Sequence, residues 1–342
     1  VERIDYKTPK PYSDLAINGF VDIHTHGFRG IACENKDPNA LRELANAYAK
    51  RGTVAFAATL DPLPFCEYEE IFAAYREAFQ GNYSGAIWCG MHLEGPYLNP
   101  QKAYALHPEH VKAIDLQELE QFLKRNSDII RVMSLAPELE NGMEAIRLLQ
   151  RYGVKPSLAH TLADYDTTTQ AIESGMHQVT HLCNAMPEFN HHRAQALDAI
   201  IASDCMCELN MDGVHIQKPM LQWLISLLGA DRIMAISDGT AFSGFEYPDG
   251  YALNEYCIAK NNAIYRQGRL YSSFQDLLDA FRFLHCECEL PLEDCLKMTS
   301  LNAGKLLHTL NYEIGLGKKA DLVLLDHNME LKNVIINGKN SL

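Results

Sequence analysis

The sequence has no CxxC pair, only two tryptophans, and no apolar run approaching the roughly 18 residues a membrane-spanning helix needs. Its 10 cysteines are sparse in 342 residues. Cys205/Cys207 and Cys286/Cys288, each two apart, suit one face of a strand better than a bridge. Reduced thiols in a cytosolic protein are therefore expected rather than a disulfide scaffold. Positive charge is also short: 30 Lys plus Arg stand against 44 Asp plus Glu, a net charge of −14. That balance argues against nucleic acid or an anionic membrane as the main partner. It leaves room for a small anionic ligand held by one or two local cations. The opening residues, Val1 to Asp5, lack the charged and apolar regions of a signal peptide.

What is present is an ordinary globular composition, 47% hydrophobic and 22% charged. At roughly 150 residues per domain, the length suits two domains or one large barrel with an appendage. Apolar, strand-like runs fall at Ala16–Ile23, Val54–Leu60, Ala86–Leu93, Ile129–Leu135, Val154–Ala159, Gln178–Leu182, Cys205–Met211 and Arg232–Ser237. Stretches of helical spacing lie between them, among them Leu41–Lys50, Tyr68–Ala78, Gly142–Arg151 and Pro219–Leu228. Eight strands alternating with helices predict parallel βαβ units closed into a (β/α)8 TIM-type barrel over residues 18–310. Residues 242–268 read as a long loop with a short hairpin, followed by helices over Ser273–Cys286 and Leu292–Leu307. The β-runs Asp321–Asp326 and Val334–Gly338 are too short to fold alone. Residues 311–342 are therefore expected to form a small β-domain with a remnant at 1–17.

The polar residues cluster where those strands end. Strand 1 ends in His24-Thr25-His26, strand 3 in His92-Leu93-Glu94, strand 5 in His160 and strand 6 in His181. Strand 7 runs into Asp212-Gly213-Val214-His215 and strand 8 into Asp238. A (β/α)8 barrel opens all its C-terminal strand ends on one face, so six ends would converge. A lone strand-end histidine is usually structural, and an HxH pair by itself is weak. The set in matching register is what carries weight. In an extended strand His24 and His26 point the same way and can chelate one ion. With Glu94, His160 and His181 they offer ligands for one or two divalent ions, Zn2+ first, with Fe2+, Co2+ or Mn2+ as alternatives. Such a site lowers the pKa of a bound water, and Asp238 is placed to move its proton. His92 and His177 read as structural.

These residues resemble the amidohydrolase superfamily and, within it, the N-acetylglucosamine-6-phosphate deacetylase family. The resemblance rests on Gly19–Gly27, His92-Leu-Glu-Gly-Pro96 and its continuation to Pro100, Thr180-His-Leu-Cys-Asn-Ala-Met186, His191-His-Arg193, Asp212–His215, Ser237-Asp238 and Gly317–Asp326. It implies Glu94, His160 and His181 as main metal ligands and His24 and His26 as a second-ion pair. It implies Asp238 as the acid/base, His215 as a substrate contact, and Asn184, Ala185 and Arg193 around a phosphate. The reaction implied is attack of a metal-bound water on the acetamide of N-acetylglucosamine 6-phosphate. The galacto epimer or another amide is the alternative, and a homodimer is the implied assembly. Three departures stand out. Leu106 takes the place of the family's carbonyl-polarising histidine, leaving His107 as a stand-in. Ala194-Gln195-Ala196 replaces the usual Glu-Pro-Gly, and the chain opens later than family members do.

Overall fold

The computed structural model describes residues 14–103, 106–307, 314 and 320–341. Eight parallel strands form one sheet: β1 (Phe20–Thr25), β2 (Thr53–Leu60), β3 (Ile87–Glu94), β4 (Ile130–Leu135), β5 (Lys155–Leu158), β6 (Gln178–Val179), β7 (Met206–Asn210) and β8 (Ile233–Ile236). Each pairs with its sequence neighbour. The first and last strands meet where the Asp238 N–H donates to the His24 carbonyl at 2.9 Å. The result is the nearly closed barrel expected from the eight apolar runs. β1 and β2 are buried along their whole length, as strands covered on both faces must be.

Helices α1 (Pro38–Ala49), α2 (Phe65–Ala78), α3 (Leu116–Asn126), α4 (Gly142–Arg151), α5 (Tyr165–Glu173), α6 (Ala196–Ile201) and α7 (Lys218–Leu228) alternate with the strands. Their apolar faces make the outer core; Phe65 of α2 stacks on Phe122 of α3 with centroids 4.1 Å apart. The barrel floor is smaller. Val21, Ile23, Ala55, Ala57, Met234 and Ile236 pack there against Ala303 and Leu307 of a C-terminal helix that plugs the end away from the site.

Three boundaries differ from the sequence reading. The run Ala16–Ile23 is two strands, because Leu15–Asn18 pairs antiparallel with Leu322–Leu325 while Phe20 onward joins the barrel. Gly19 makes the crossing, where a Cβ would lie 2.2 Å from a Val54 methyl. Residues 242–268 hold the expected hairpin, Cys257–Lys260 with Ala263–Arg266, but Arg269–Ser273 just beyond them adds a third antiparallel strand. Helix α8 (Leu277–Arg282) accordingly starts later than Ser273, capped by the Asp276 carboxylate. The chain-end sheet orders Leu15–Asn18, Leu322–Leu325, Leu331–Ile336 and Lys339–Asn340. Residues 1–13 of the expected N-terminal remnant, and 317–319 of the closing motif, lie outside the described residues. All ten cysteines are free thiols. No helix among the described residues is long and apolar enough to cross a membrane.

Candidate metal centre and active site

The barrel brings His24, His26, Glu94, His160, His181 and Asp238 to one point at its C-terminal face. Glu94 ends β3, and its Oε1 lies 2.9 Å from His160 Nε2 and 2.7 Å from His181 Nε2. Its Oε2 lies 3.2 Å from His26 Nε2 and 3.7 Å from His24 Nε2. Asp238 Oδ1 closes the other side, 3.4 Å from His24 Nε2 and 3.6 Å from His26 Nε2. His160, His181 and Asp238 each follow a strand and hold left-handed backbone, with φ of 43°, 31° and 49°. Non-glycine residues enter that region at a cost of order 1–3 kcal/mol each, and such strain collects at functional sites.

The donor set fits a cation on hydrogen-bond grounds. A carbonyl or carboxylate can only accept, so a ring nitrogen facing one carries the proton. His160 Nδ1 donates to the Lys102 carbonyl at 2.9 Å, His24 Nδ1 to Glu208 at 2.8 Å, and His26 Nδ1 faces Asp61 at 2.9 Å. In the neutral rings the Nε2 lone pairs of all three are then turned inward. His24 and His26 Nε2 face each other at 3.2 Å, and His160 Nε2 faces a carboxylate oxygen. Facing acceptors of this kind are held together only by positive charge between them, supplied by added ring protons or by a metal ion in their place. Two triads meet this description, Glu94 with His160 and His181, and His24 with His26 and Asp238, each with ligand atoms within 4.8 Å of one another. His24, His92 and Glu208 also cluster, but both His92 nitrogens are engaged, Nδ1 by the Ile23 carbonyl and Nε2 by Ser134. His92 is structural there.

The titration directions follow the same charges. Burial opposes protonation of His24, yet the Asp238 and Glu94 carboxylates outweigh it and raise the ring to about 10. Burial likewise opposes a charged His26, and Asp61 and Glu94 raise it well above the usual range. Burial would raise Glu94, but His24 and the bonds from His160 and His181 hold it well below. Asp238 is lowered in the same way, burial losing to His24 and His181. His92, with burial dominant, falls to about 4.

Above the centre opens a cavity of about 680 Å³. His215, Asn184 and Ala185 line it beside the metal ligands. His215 is held by Asp212, whose carboxylate meets Nδ1 and the backbone N–H groups of Val214 and His215. Asn184 donates to Asn210, and Asn210 donates to Asp238 Oδ2 at 3.1 Å. Two expected residues stand elsewhere. Arg193 is exposed and does not line the cavity. His107 lines an adjoining cleft of about 240 Å³ beyond His26, its ring on Glu109. Lys102 and Arg269 supply positive charge in the cavity lining instead. Sequence reasoning missed both, as well as Glu208 and Asp61 behind the histidines. For Glu208 a signal existed, an acid in the middle of the apolar run Cys205–Met211.

Residues 15–340 match the amidohydrolase family model, and the chain belongs to that family. Its relatives narrow the field to deacetylases of amino-sugar phosphates. The N-acetylglucosamine-6-phosphate deacetylase of Lysinibacillus sphaericus is 27% identical over 94% of this chain and 84% of its own. The N-acetylgalactosamine-6-phosphate deacetylase of Escherichia coli O157:H7 is 27% identical over 99% and 91%. The crystal structure of N-acetyl-D-glucosamine-6-phosphate deacetylase from Mycobacterium smegmatis is similar at a TM-score of 0.88 and 26% identity, over 96% of this chain and 88% of that one.

Proposed function

We propose that this chain is a metal-dependent deacetylase that hydrolyses the acetamide of N-acetylglucosamine 6-phosphate to glucosamine 6-phosphate and acetate. The observation that carries the reading is the convergence of Glu94, His160 and His181 with an independently held carboxylate, Asp238, at the floor of a sugar-sized cavity. Glu94, His160 and His181 hold one divalent ion, and His24 and His26 with Asp238 are placed for a second. Zn2+ is the first ion to try. Such an ion supplies Lewis acidity and a water of lowered pKa.

The protein's own part is positioning and proton transfer. Asp238, kept ionised by the histidines around it, accepts a proton from the attacking water. It delivers that proton to the sugar nitrogen as the C–N bond breaks, leaving acetate and the free amine. Asn210 holds the second oxygen of Asp238, so the first stays aimed at the reacting centre. His215, fixed by Asp212, is a donor to the substrate's carbonyl or a ring hydroxyl. The Asn184 amide, the Ala185 N–H and Lys102 face the anionic end. Arg193 and His107 have no part in this scheme from where they stand.

A second reading, the galacto epimer as substrate, is favoured by the long coverage of the Escherichia coli O157:H7 relative. The test is acetate release from N-acetylglucosamine 6-phosphate, N-acetylgalactosamine 6-phosphate and unphosphorylated N-acetylglucosamine, with the zinc-loaded chain. Release from one phosphorylated sugar above the others assigns it. Release from none rejects the deacetylase reading.

A further inference from the structure

The two halves of the centre are held in different ways. On one side His160 leans on a backbone carbonyl, that of Lys102, and the buried His181 Nδ1 has no partner among the described residues. On the other side both histidines lean on side-chain carboxylates, His24 on Glu208 and His26 on Asp61. Glu208 is the more unusual of the two. It projects from β7 into the barrel and is fully buried. Its Oε2 takes the His24 Nδ1 proton at 2.8 Å, and its Oε1 takes one from Gln178 Nε2 at 2.7 Å. Gln178 Oε1 is itself buried without a partner among the described residues, so that amide is committed to Glu208 at the expense of its own oxygen. A carboxylate this deep is costly to bury, and no solvent reaches it to replace the bond it gives His24.

We infer that Glu208, held by Gln178, is the positioning residue that keeps an ion on the His24 side of the centre. It pins the proton on Nδ1, which turns the Nε2 lone pair toward His26 and Asp238, and its charge raises the donor strength of the ring. Without it the proton is free to move to Nε2, and His24 ceases to be a ligand. The inference rests on the metal-holding reading of the site and not on the identity of the substrate.

The test is ion stoichiometry. The wild type, Glu208→Gln, Glu208→Leu and, as reference, His24→Asn are loaded with Zn2+, dialysed against graded chelator, and analysed for ions per chain. Co2+ loading adds an absorption spectrum for each half. Two ions are expected in the wild type. In both Glu208 variants one should be lost at free Zn2+ about 10- to 100-fold higher than in the wild type, leaving the other in place as in His24→Asn. Two ions of unchanged affinity in the variants would overturn the inference, as would loss of both ions together. A wild type that holds ions while the variants match it rejects only the role of Glu208. A wild type that holds none rejects the metal reading as well. If Glu208→Leu does not fold, the isosteric Glu208→Gln decides.

Discussion

The cavity has two walls built on different principles. The metal wall comes from residues at or just past the ends of β1, β3, β5, β6 and β8, strands fixed by parallel ladders, and all of them but the half-buried His26 are buried from solvent. The opposite wall comes from loops: Lys102 after β3, Asn184 to Met186 after β6, and Arg269 to Ser272 from the antiparallel sheet that follows β8. Lys102 is tied to that second wall by its ammonium, which donates to the Met186 carbonyl at 3.0 Å, and to the first by its carbonyl on His160. The difference teaches where chemistry and specificity separate in this fold. Strand ends fix the reacting groups on a rigid frame, while loops choose what is presented to them.

If the metal wall carries the chemistry, Asp238→Asn should have the largest effect. The amide keeps an acceptor and the bond geometry but cannot take a proton. A fall in kcat of about 10²- to 10⁴-fold with little change in KM is expected in the acetate assay. A change in KM alone would move Asp238 to binding. Removing the ion comes next. Because an ion held by these ligands binds the folded chain and not the unfolded one, chelation should lower unfolding stability as well as activity. At free ion a thousandfold above Kd the difference is about 4 kcal/mol, read by calorimetry with and without chelator. A chelated chain that unfolds at the same temperature would contradict the fit of the centre to a cation.

The metal wall was also the legible one. All eight barrel strands appear in the sequence as apolar runs, and a histidine or acid directly after such a run has its place set by topology alone. His24, His26, Glu94, His160, His181 and Asp238 could be found that way. The loop wall had no such rule. Lys102 and Arg269 look like surface charges in sequence, and only the docking of the three-stranded sheet over the barrel mouth makes Arg269 a lining residue. Arg193 shows the converse, expected in the cavity from the motif around it and found exposed. Period-two reasoning could have gone further than it did. In β7, Glu208 and Asn210 share the inward face, and each holds a reacting residue, His24 and Asp238 respectively.

For the loop wall the sharper test is Lys102→Met, which keeps the stem and removes the charge. Loss of a charge-assisted bond of about 1.5–3 kcal/mol predicts a KM for the phosphorylated sugar raised about 10- to 100-fold, with kcat largely kept. The unphosphorylated sugar should show no such change. Equal effects on both sugars would mean that Lys102 serves the loop and His160 rather than the phosphate.

The smallest effect supplies the calibration for that result. Asp115 caps α3 at the end of the same connection that carries Lys102, accepting the N–H groups of Gln117 and Glu118 at 2.9 and 3.1 Å. Asp115→Ala should cost about 1 kcal/mol of stability, measured by denaturant unfolding, and leave both kcat and KM where they were. The cap lies on the helix and not in the cavity, so a stability loss there should not reach the substrate. If Asp115→Ala raises KM as Lys102→Met does, the β3–α3 connection acts through its fold rather than through the lysine's charge, and the separation of the two walls fails at that point.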